Sequence, residues 1–153
     1  MMSQDKRVLV IVGSTRRNSR TEKAVDELCP YKKFEMVHLC ELEIRQYDYM
    51  HELNADDDFE SIVEKLRDVD VIVFASPVYW YSMSGRMKVF FDRMTELLST
   101  YKDVGRSLRG KECWVIATGA EAAAPKGFED AFRLTAGYFH LEYKSLIYRC
   151  TKT

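Results

Sequence analysis

The clearest pattern along the chain is a set of short continuous apolar runs, each separated from the next by polar loops and helical spacing. The strongest runs begin at Arg7 (RVLVIV), Val71 (VIVFAS) and Glu112 (ECWVIAT). A continuous run rich in β-branched residues is typical of a strand buried on both faces, as in a parallel sheet. Two weaker runs, residues 34–39 and 141–148, complete a prediction of five strands.

Between these runs, apolar residues recur at the three- and four-residue spacing of amphipathic helices. This spacing predicts helices over residues 19–29, 59–66, 84–99 and 126–138. In the last of these, Phe128, Ala131, Phe132 and Thr135 are in phase. Residues 41–56 are mixed in character, and their pattern supports no assignment.

The alternation of strands and helices predicts one α/β domain over residues 1–153, with three layers and a doubly wound parallel sheet. Five strands at this length favour the flavodoxin-like order 2-1-3-4-5 over a six-stranded dinucleotide-binding sheet. Folds of this class bind ligands beyond the carboxyl ends of the strands, near the switch in strand order. A binding site is therefore expected in the loops after strands one, three and four.

Composition and charge exclude several classes of function. The 153 residues include 23 basic and 24 acidic side chains, so the net charge of -1 gives no electrostatic reason to expect nucleic acid or an anionic membrane as partner. No apolar run approaches the roughly 20 residues that span a bilayer. The N-terminus lacks the layout of a signal peptide, so a cytoplasmic location is expected. The four cysteines are scattered without a CxxC pair, so no metal site is expected.

The loop after the first strand, GSTRRNSRT at residues 13–21, suits an anion. Backbone N–H groups at the start of the following helix bind anions through hydrogen bonds and the helix dipole. Ser14, Ser19 and Thr21 can add hydroxyl donors. Arg16 can add a charge-assisted bond. A capped helix start in solvent would explain the same residues, and the absence of GxGxxG and GxxxxGK[ST] disfavours a dinucleotide or a nucleoside triphosphate.

The loop after the third strand, SPVYWYSMSG at residues 76–85, is rich in aromatic side chains. Pro77 has no N–H group and therefore stops strand pairing. Tyr79, Trp80 and Tyr81 then follow in succession, and three consecutive rings cannot all point into one core. A flat aromatic ligand would use some of them through stacking and edge contacts. A subunit interface or a lid would also explain them.

The loop after the fourth strand reads TGAEAAAPKG, residues 118–127. Thr118, Gly119 and Ala120 offer backbone donors and a close approach to a ring. Glu121 either hydrogen-bonds a ligand or faces water. All three loops at this edge of the predicted sheet are therefore chemically unusual.

With these loops, the sequence resembles the NAD(P)H-dependent FMN reductases and their relatives among the iron–sulfur flavoproteins, and the resemblance covers nearly the whole chain. GSTRRNSRT is similar to that family's GSxRxxSxT-type phosphate loop. SPVYWYSMSGRMKVFFDR, residues 76–93, is similar to its PVYW-containing flavin loop and the helix that follows. The iron–sulfur relatives carry a compact cysteine motif after the second strand, whereas residues 41–58 contain no cysteine in this chain. That departure argues against a cluster.

The resemblance implies FMN as the cofactor, with its phosphate on the first loop, its ribityl chain and isoalloxazine ring along the second, and the other side of the ring against the third. Arg20 stands where many relatives have a small polar Asn, so it either adds charge to the phosphate site or points to solvent. The implied cofactor-binding residues are Ser14, Arg16, Asn18, Ser19, Arg20, Thr21, Pro77, Val78, Tyr79, Trp80, Tyr81, Ser82, Gly119, Ala120 and Glu121.

The implied activity is an FMN-dependent oxidoreductase that passes hydride from NADPH or NADH to bound FMN and on to a quinone, flavin, azo dye or similar acceptor. The resemblance also implies a homodimer or homotetramer whose partner subunit helps to shape the site. The irregular stretch of residues 42–58 is expected either to cover the flavin or to form a subunit contact. No acid, base or nucleophile is expected, since His38, His51 and His140 show no triad spacing. The alternatives are a flavodoxin-like electron carrier, which the near-zero net charge argues against, and a redox sensor or scaffold with little turnover.

Overall fold

Five strands form a single, entirely parallel sheet in the computed structural model, which describes residues 5–50 and 56–152. The strand order is β2-β1-β3-β4-β5, which confirms the predicted flavodoxin-like order. The interior strand β1 is buried along its whole length, in keeping with its uninterrupted apolar sequence. The strands are β1 (Val8–Val12), β2 (Glu35–His38), β3 (Val71–Pro77), β4 (Glu112–Gly119) and β5 (Glu142–Cys150).

Five α-helices connect the strands within the described residues, together with two 3₁₀ turns at Leu39–Glu41 and Met94–Leu98. None of these helices is long and apolar enough to cross a membrane. The helices are α1 (Arg20–Leu28), α2 (Phe59–Asp68), α3 (Gly85–Arg93), α4 (Lys102–Ser107) and α5 (Asp130–Tyr138).

The sheet is covered on both faces, as predicted. On one face, α1 buries Ala24 and Val25 completely against alternate residues of the central strands. On the other face, α2, α3 and α5 contribute Phe59, Phe90 and Phe132 to the larger core cluster, and all three rings are fully buried. Large apolar side chains on both sides therefore hold the sheet in place, and the carboxyl edge is left to the connecting loops.

The single helix predicted over residues 84–99 is wrong in its second half. The helix α3 ends at Arg93, a 3₁₀ turn follows, and α4 comes after it as an element that the pattern did not predict. Its Gly105 packs against this turn so closely that a Cβ atom there would lie 2.2 Å from the carbonyl oxygen of Leu97. A glycine in a short helix weakens the helical signal of the sequence, which explains why α4 was missed.

The last predicted helix also begins later than residue 126. Residues before Asp130 form turns that bury Phe128, and α5 starts only at Asp130. Ala131 is therefore exposed rather than in the core, and Ala136 is buried instead.

A buried ion cluster anchors the segment between β2 and α2 to the end of α3. The guanidinium of Arg93 is fully buried, lies 2.5 Å from a carboxylate oxygen of Asp57 and also binds the carboxylate of Glu96. It stands 4.6 Å above the centre of the Phe59 ring and donates to the carbonyl of Arg45 at 3.0 Å. One cation thus joins two carboxylates, a ring and a loop carbonyl.

The same segment is closed at its base by short backbone contacts. The N–H of Asp58 donates to the carbonyl of Glu43 at 2.9 Å, and the N–H of Arg45 donates to the Asp57 carboxylate at 2.9 Å. Burial by itself would raise the pKa of Asp57, but hydrogen bonds from Arg93 and from backbone N–H groups hold that pKa below its ordinary value. The predicted role of residues 42–58 at the flavin or at a subunit contact stays a prediction, since residues 51–55 lie outside the described part of the chain.

We predict that Arg93→Met destabilises the protein by about 3–5 kcal/mol near pH 7, because it leaves two buried carboxylates without their cation. In the wild type the lowered pKa of Asp57 contributes stability at neutral pH that is lost as the pH falls towards and below its ordinary value of 3.8. In the variant the Asp57 carboxylate has lost the hydrogen bonds from Arg93 that lower its pKa, so it takes up a proton more readily and the penalty should shrink as the pH is lowered. Urea unfolding at several pH values measures both effects.

The matched control is Arg67→Met, which removes an exposed arginine that binds Asp103 at 2.6 Å. Because exposed pairs contribute little, its effect should stay below about 1 kcal/mol at every pH. Equal losses in the two variants would show that the buried cluster does not anchor the segment.

Candidate functional site

The three loops singled out in the sequence converge at the carboxyl edge of β1, β3 and β4 around a cavity of about 310 Å³. The loops lie side by side because the three strands are neighbours in one parallel sheet. The lining residues are Ser14, Thr15, Arg16, Ser19, Arg20, Thr21, Pro77, Val78, Tyr79, Thr118, Gly119, Ala120 and Thr151.

Most of the predicted site residues lie in this lining, and their contact with a ligand stays a prediction. The predicted residues outside the lining are Asn18, Trp80, Tyr81, Ser82 and Glu121. The predicted cofactor-binding residues did not include Thr15, Thr118 or Thr151, which also line the cavity. Thr118 had been identified only as a residue that offers backbone donors at the end of a predicted strand. Thr151 follows the last strand, where no sequence signal marked it.

The start of α1 is a capped helix terminus that faces the cavity. Ser19 caps the helix by accepting a hydrogen bond from the N–H of Glu22 at 3.1 Å, and its own hydroxyl donates to Ser14 at 2.7 Å. The N–H groups of Arg20 and Thr21, in the first turn, have no acceptor among the described residues. A capped helix start and an anion-binding site are therefore compatible, because the cap leaves the N–H groups of Arg20 and Thr21 available to an anion.

A buried carboxylate that the prediction missed, Glu22, orders the loop behind the cavity. It accepts hydrogen bonds from Arg17 at 3.0 Å and from the N–H of Asn18 at 2.6 Å. The bond from Arg17 lowers the pKa of Glu22, although burial alone would raise it. The spacing of Ser19 and Glu22 matches the capping box S-x-x-E, which is the signal that could have identified it.

The arginines of this loop have different surroundings. Arg17 is held by Glu22 and, at 2.7 Å, by Glu41, so its charge is already paired. Arg20 donates to the carbonyl of Thr151 at 2.9 Å. Arg16 is exposed and has no side-chain partner among the described residues. Since the lining contains two arginines and no carboxylate, the cavity favours an anion.

A pair of threonines joins the first loop to the third. The hydroxyls of Thr21 and Thr118 are both buried and lie 2.7 Å apart, linking the start of α1 to the end of β4. The carbonyl of Thr118 also accepts the N–H of Val78 at 2.8 Å. Thr118 thus contacts both of the other loops through separate atoms.

The aromatic residues form a tight turn at the rim of the cavity. Tyr79 and Ser82 exchange both backbone hydrogen bonds, at 2.9 and 3.1 Å. Trp80 and Tyr81 between them have φ angles of 49° and 71°, which is the left-handed arrangement of a type I′ turn. Residues with a Cβ atom are strained there, at a cost of about 1 kcal/mol or more each. The turn leaves the Trp80 side chain 91% exposed.

The third loop approaches the cavity through its glycine. A Cβ atom at Gly119 would lie 2.7 Å from the hydroxyl of Tyr148, which donates to the carbonyl of Glu121 at 2.7 Å. The Glu121 residue is exposed and lies outside the lining, which favours the interpretation that its carboxylate faces water.

The two described histidines, His38 and His140, do not line this cavity. His38 is 3.9 Å from the Glu22 carboxylate, and His140 lies near the opposite edge of the sheet. His51 lies outside the described residues. Within residues 5–50 and 56–152, no group of three or more His, Cys, Asp or Glu is placed to hold a metal ion.

Comparison with known proteins identifies the family. The family model described as NADPH-dependent FMN reductase matches residues 6–142. The chain belongs to this family. Membership confirms the family that the sequence motifs suggested. It also confirms that the protein is of a flavin-dependent oxidoreductase class and that FMN is its cofactor.

Three relatives illustrate how far the similarity extends. The chain is 27% identical over 128 residues to a Bacillus subtilis protein named as NAD(P)H-dependent FMN-containing oxidoreductase YwqN, covering 79% of this chain and 71% of that protein. It is 29% identical to an iron–sulfur flavoprotein of Clostridioides difficile, covering 78% of this chain but only 56% of the relative. The structure of the Trp repressor binding protein from Bacillus subtilis superimposes with a TM-score of 0.76 at 23% identity, over 95% of this chain and 84% of that one, and confirms the fold.

We predict that the hydroxyls of Thr21 and Thr118 are energetically coupled. Thr21→Val keeps the shape but leaves the Thr118 hydroxyl without this partner, so it should lower the unfolding free energy of the FMN-free protein by about 1–3 kcal/mol. The double variant Thr21→Val/Thr118→Val should lose less than the sum of the two single variants. Urea unfolding of the four proteins gives the coupling energy, and strict additivity would show that the two loops are not joined through this bond.

Proposed function

We propose that this chain is an FMN-dependent NAD(P)H oxidoreductase and that the cavity at the carboxyl edge of β1, β3 and β4 holds its FMN. The observation that carries the proposal is the composition of the lining, in which a helix N-terminus, several hydroxyls and two arginines meet without a carboxylate. This donor set suits a phosphate monoester.

The phosphate end of the site is the start of α1. The free N–H groups of Arg20 and Thr21 would donate to phosphate oxygens, and Ser14 and Ser19 would add hydroxyl donors. Arg16 would supply the strongest single contact, because its guanidinium has no competing partner among the described residues and can form charge-assisted hydrogen bonds. Arg20, whose guanidinium donates to the carbonyl of Thr151, would add positive charge on that side of the cavity.

The ring end of the site lies between the second and third loops. Pro77, Val78 and Tyr79 of the second loop and Gly119 and Ala120 of the third loop line the cavity as neighbours, since a Cβ atom at Gly119 would lie 3.4 Å from the Cβ atom of Val78. Because Gly119 has no side chain, its backbone can lie close to a flat ring. The exposed Trp80 at the rim would then contact the nicotinamide or the acceptor rather than the phosphate.

Bound FMN would supply the redox chemistry, accepting a hydride from NADPH or NADH and returning two electrons to a quinone, a flavin, an azo compound or a similar acceptor. The residues of this chain bind the cofactor and orient it. The lining contains no histidine or carboxylate, which are the side chains that most often act as general acid or base.

A homodimer or homotetramer in which a second copy covers the aromatic turn completes the proposal. Trp80 and Tyr81 are 91% and 68% exposed, which is unusual for two adjacent large rings, and they stand directly beside the cavity. A partner subunit at this rim would bury both rings and narrow the entrance to the site.

Anaerobic stopped flow of the FMN-loaded protein with NADPH and with NADH tests the proposed activity. Rapid bleaching of the flavin absorbance, followed by reoxidation with a quinone or free flavin, is the expected result. Slow bleaching by both nucleotides would instead identify an electron carrier, and failure to bind FMN at all would reject both functions.

Trp80→Gly separates a role at the flavin from a role in folding. Glycine adopts the left-handed conformation without strain, so the unfolding free energy of the FMN-free protein should not fall. The rate of flavin bleaching by NAD(P)H should fall nevertheless. A variant that is bleached at the wild-type rate would remove Trp80 from the reaction.

Arg16→Ala should weaken FMN binding by about 1.5–3 kcal/mol, or roughly 10- to 150-fold, because it removes a charged hydrogen bond to the phosphate. Riboflavin, which has no phosphate, is the matched control ligand, and its affinity should be the same for both proteins. Fluorescence titration measures both affinities. Equal losses for FMN and riboflavin would place Arg16 at the ring or in the fold rather than at the phosphate.

A further inference from the structure

A groove between α4 and α5 lies at the opposite edge of the sheet from the proposed flavin site. Two adjoining cavities, of about 270 and 310 Å³, share Leu98, Tyr138 and Phe139 and together form this α4–α5 groove. The N–H of Gly110, just beyond α4, donates to the carbonyl of His140 at 2.9 Å, immediately before β4 and β5 begin. The groove is thus near the amino ends of these strands.

One wall of the α4–α5 groove is an exposed apolar ridge. Leu134 and Tyr138 on α5 are 61% and 65% exposed, and Leu98 at the end of the 3₁₀ turn is 43% exposed. Leu134 and Tyr138 are four residues apart and therefore stand on the same face of α5. Large apolar side chains grouped in this way mark a surface that another apolar surface covers.

The other wall carries a stripe of three cations. Lys102, Arg106 and Arg109 line the same cavity as Tyr138 and are spaced four and three residues apart along α4 and the turn that follows it. None of the three side chains has an ion-pair partner within the described residues, whereas Arg67 and Arg133 nearby on α2 and α5 each bind a carboxylate. No carboxylate lines either cavity of the groove.

We propose that the α4–α5 groove binds an acidic amphipathic helix of a partner protein. Helices of this kind place apolar side chains in a groove at intervals of three and four residues and hold their charges along the edge. The cations extend over about 10 Å, at 1.5 Å per helical residue, so they match several carboxylates in a row. A small carboxylate ligand would use only one of them.

A second copy of this chain fits the groove less well. In a two-fold contact whose axis passes through the cation stripe, Lys102, Arg106 and Arg109 of both copies would face one another without a carboxylate in the lining. This repulsion is absent when the partner is acidic. The proposal does not depend on the proposed flavin site, because the two lie at opposite edges of the sheet.

The test uses the FMN-loaded protein and a fluorescein-labelled synthetic helical peptide of about five turns. The peptide carries leucines on one face and glutamates along one edge of that leucine face. Saturable binding in fluorescence anisotropy is expected, and it should weaken as salt is added. A peptide of the same composition in scrambled order, and one with lysine in place of glutamate, should each bind at least about tenfold more weakly. Equal binding of all three peptides would overturn the proposal.

Variants locate the binding surface. Arg106→Glu/Arg109→Glu should weaken the peptide at least about tenfold through charge reversal, and Leu134→Asp should do the same through the apolar ridge. Lys23→Glu, an exposed position on α1 across the sheet, is the matched control and should leave binding unchanged. All of these side chains are exposed, and unchanged thermal unfolding would show that the variants fold.

Two results would contradict the acidic partner. Peptide binding that survives both groove variants would place the peptide elsewhere on the protein. Sedimentation in which Leu134→Asp converts an oligomer to a monomer would show that the groove is a contact between copies of this chain instead.

Discussion

The hydrogen-bonded ladder that joins β1, β3 and β4 determines where every part of the proposed flavin site can lie. Its register pairs Val12 with Ala75 and Pro77 with Thr118, so the three strands end close to one another. Bonds just beyond the strands extend the ladder, since Gly13 donates to Ala75 and Val78 donates to Thr118, each at 2.8 Å. The loops therefore leave the sheet side by side, and a cavity between them follows from the pairing of the strands.

Charge is distributed so that the cavity keeps its cations available to a ligand. Arg93 is buried between two carboxylates, and Arg17 is held by Glu22 and Glu41, so neither can serve a ligand. Arg16, one residue away from Arg17, has no such partner among the described residues. The carboxylate of Glu22 sits behind the loop, where it orders the backbone through Asn18 without entering the cavity. An anion thus meets positive charge that the fold does not use for its own stability.

The sequence was most informative where structure depends on neighbours along the chain. The continuous apolar runs predicted all five strands, and the order of loops in a parallel sheet then predicted which segments meet. What was missed depends on contacts distant in sequence. The pairing of Asp57 with Arg93 leaves no local signal, and α4 was missed because Gly105 is required by its packing on Leu97 rather than by helix formation. Thr151 enters the cavity only because β5 lies beside β4.

The aromatic turn shows why stability alone does not explain the proposed site. A type I′ turn favours Asn or Gly at both central positions, which here are Trp80 and Tyr81. Strain and exposure of two large rings both oppose this arrangement, while the two bonds between Tyr79 and Ser82 would form equally well with smaller residues. Strain and exposure thus give the fold no reason for large rings at these positions. This supports the proposal that Trp80 and Tyr81 make contacts beyond the chain, at the rim of the cavity where the flavin is proposed to bind.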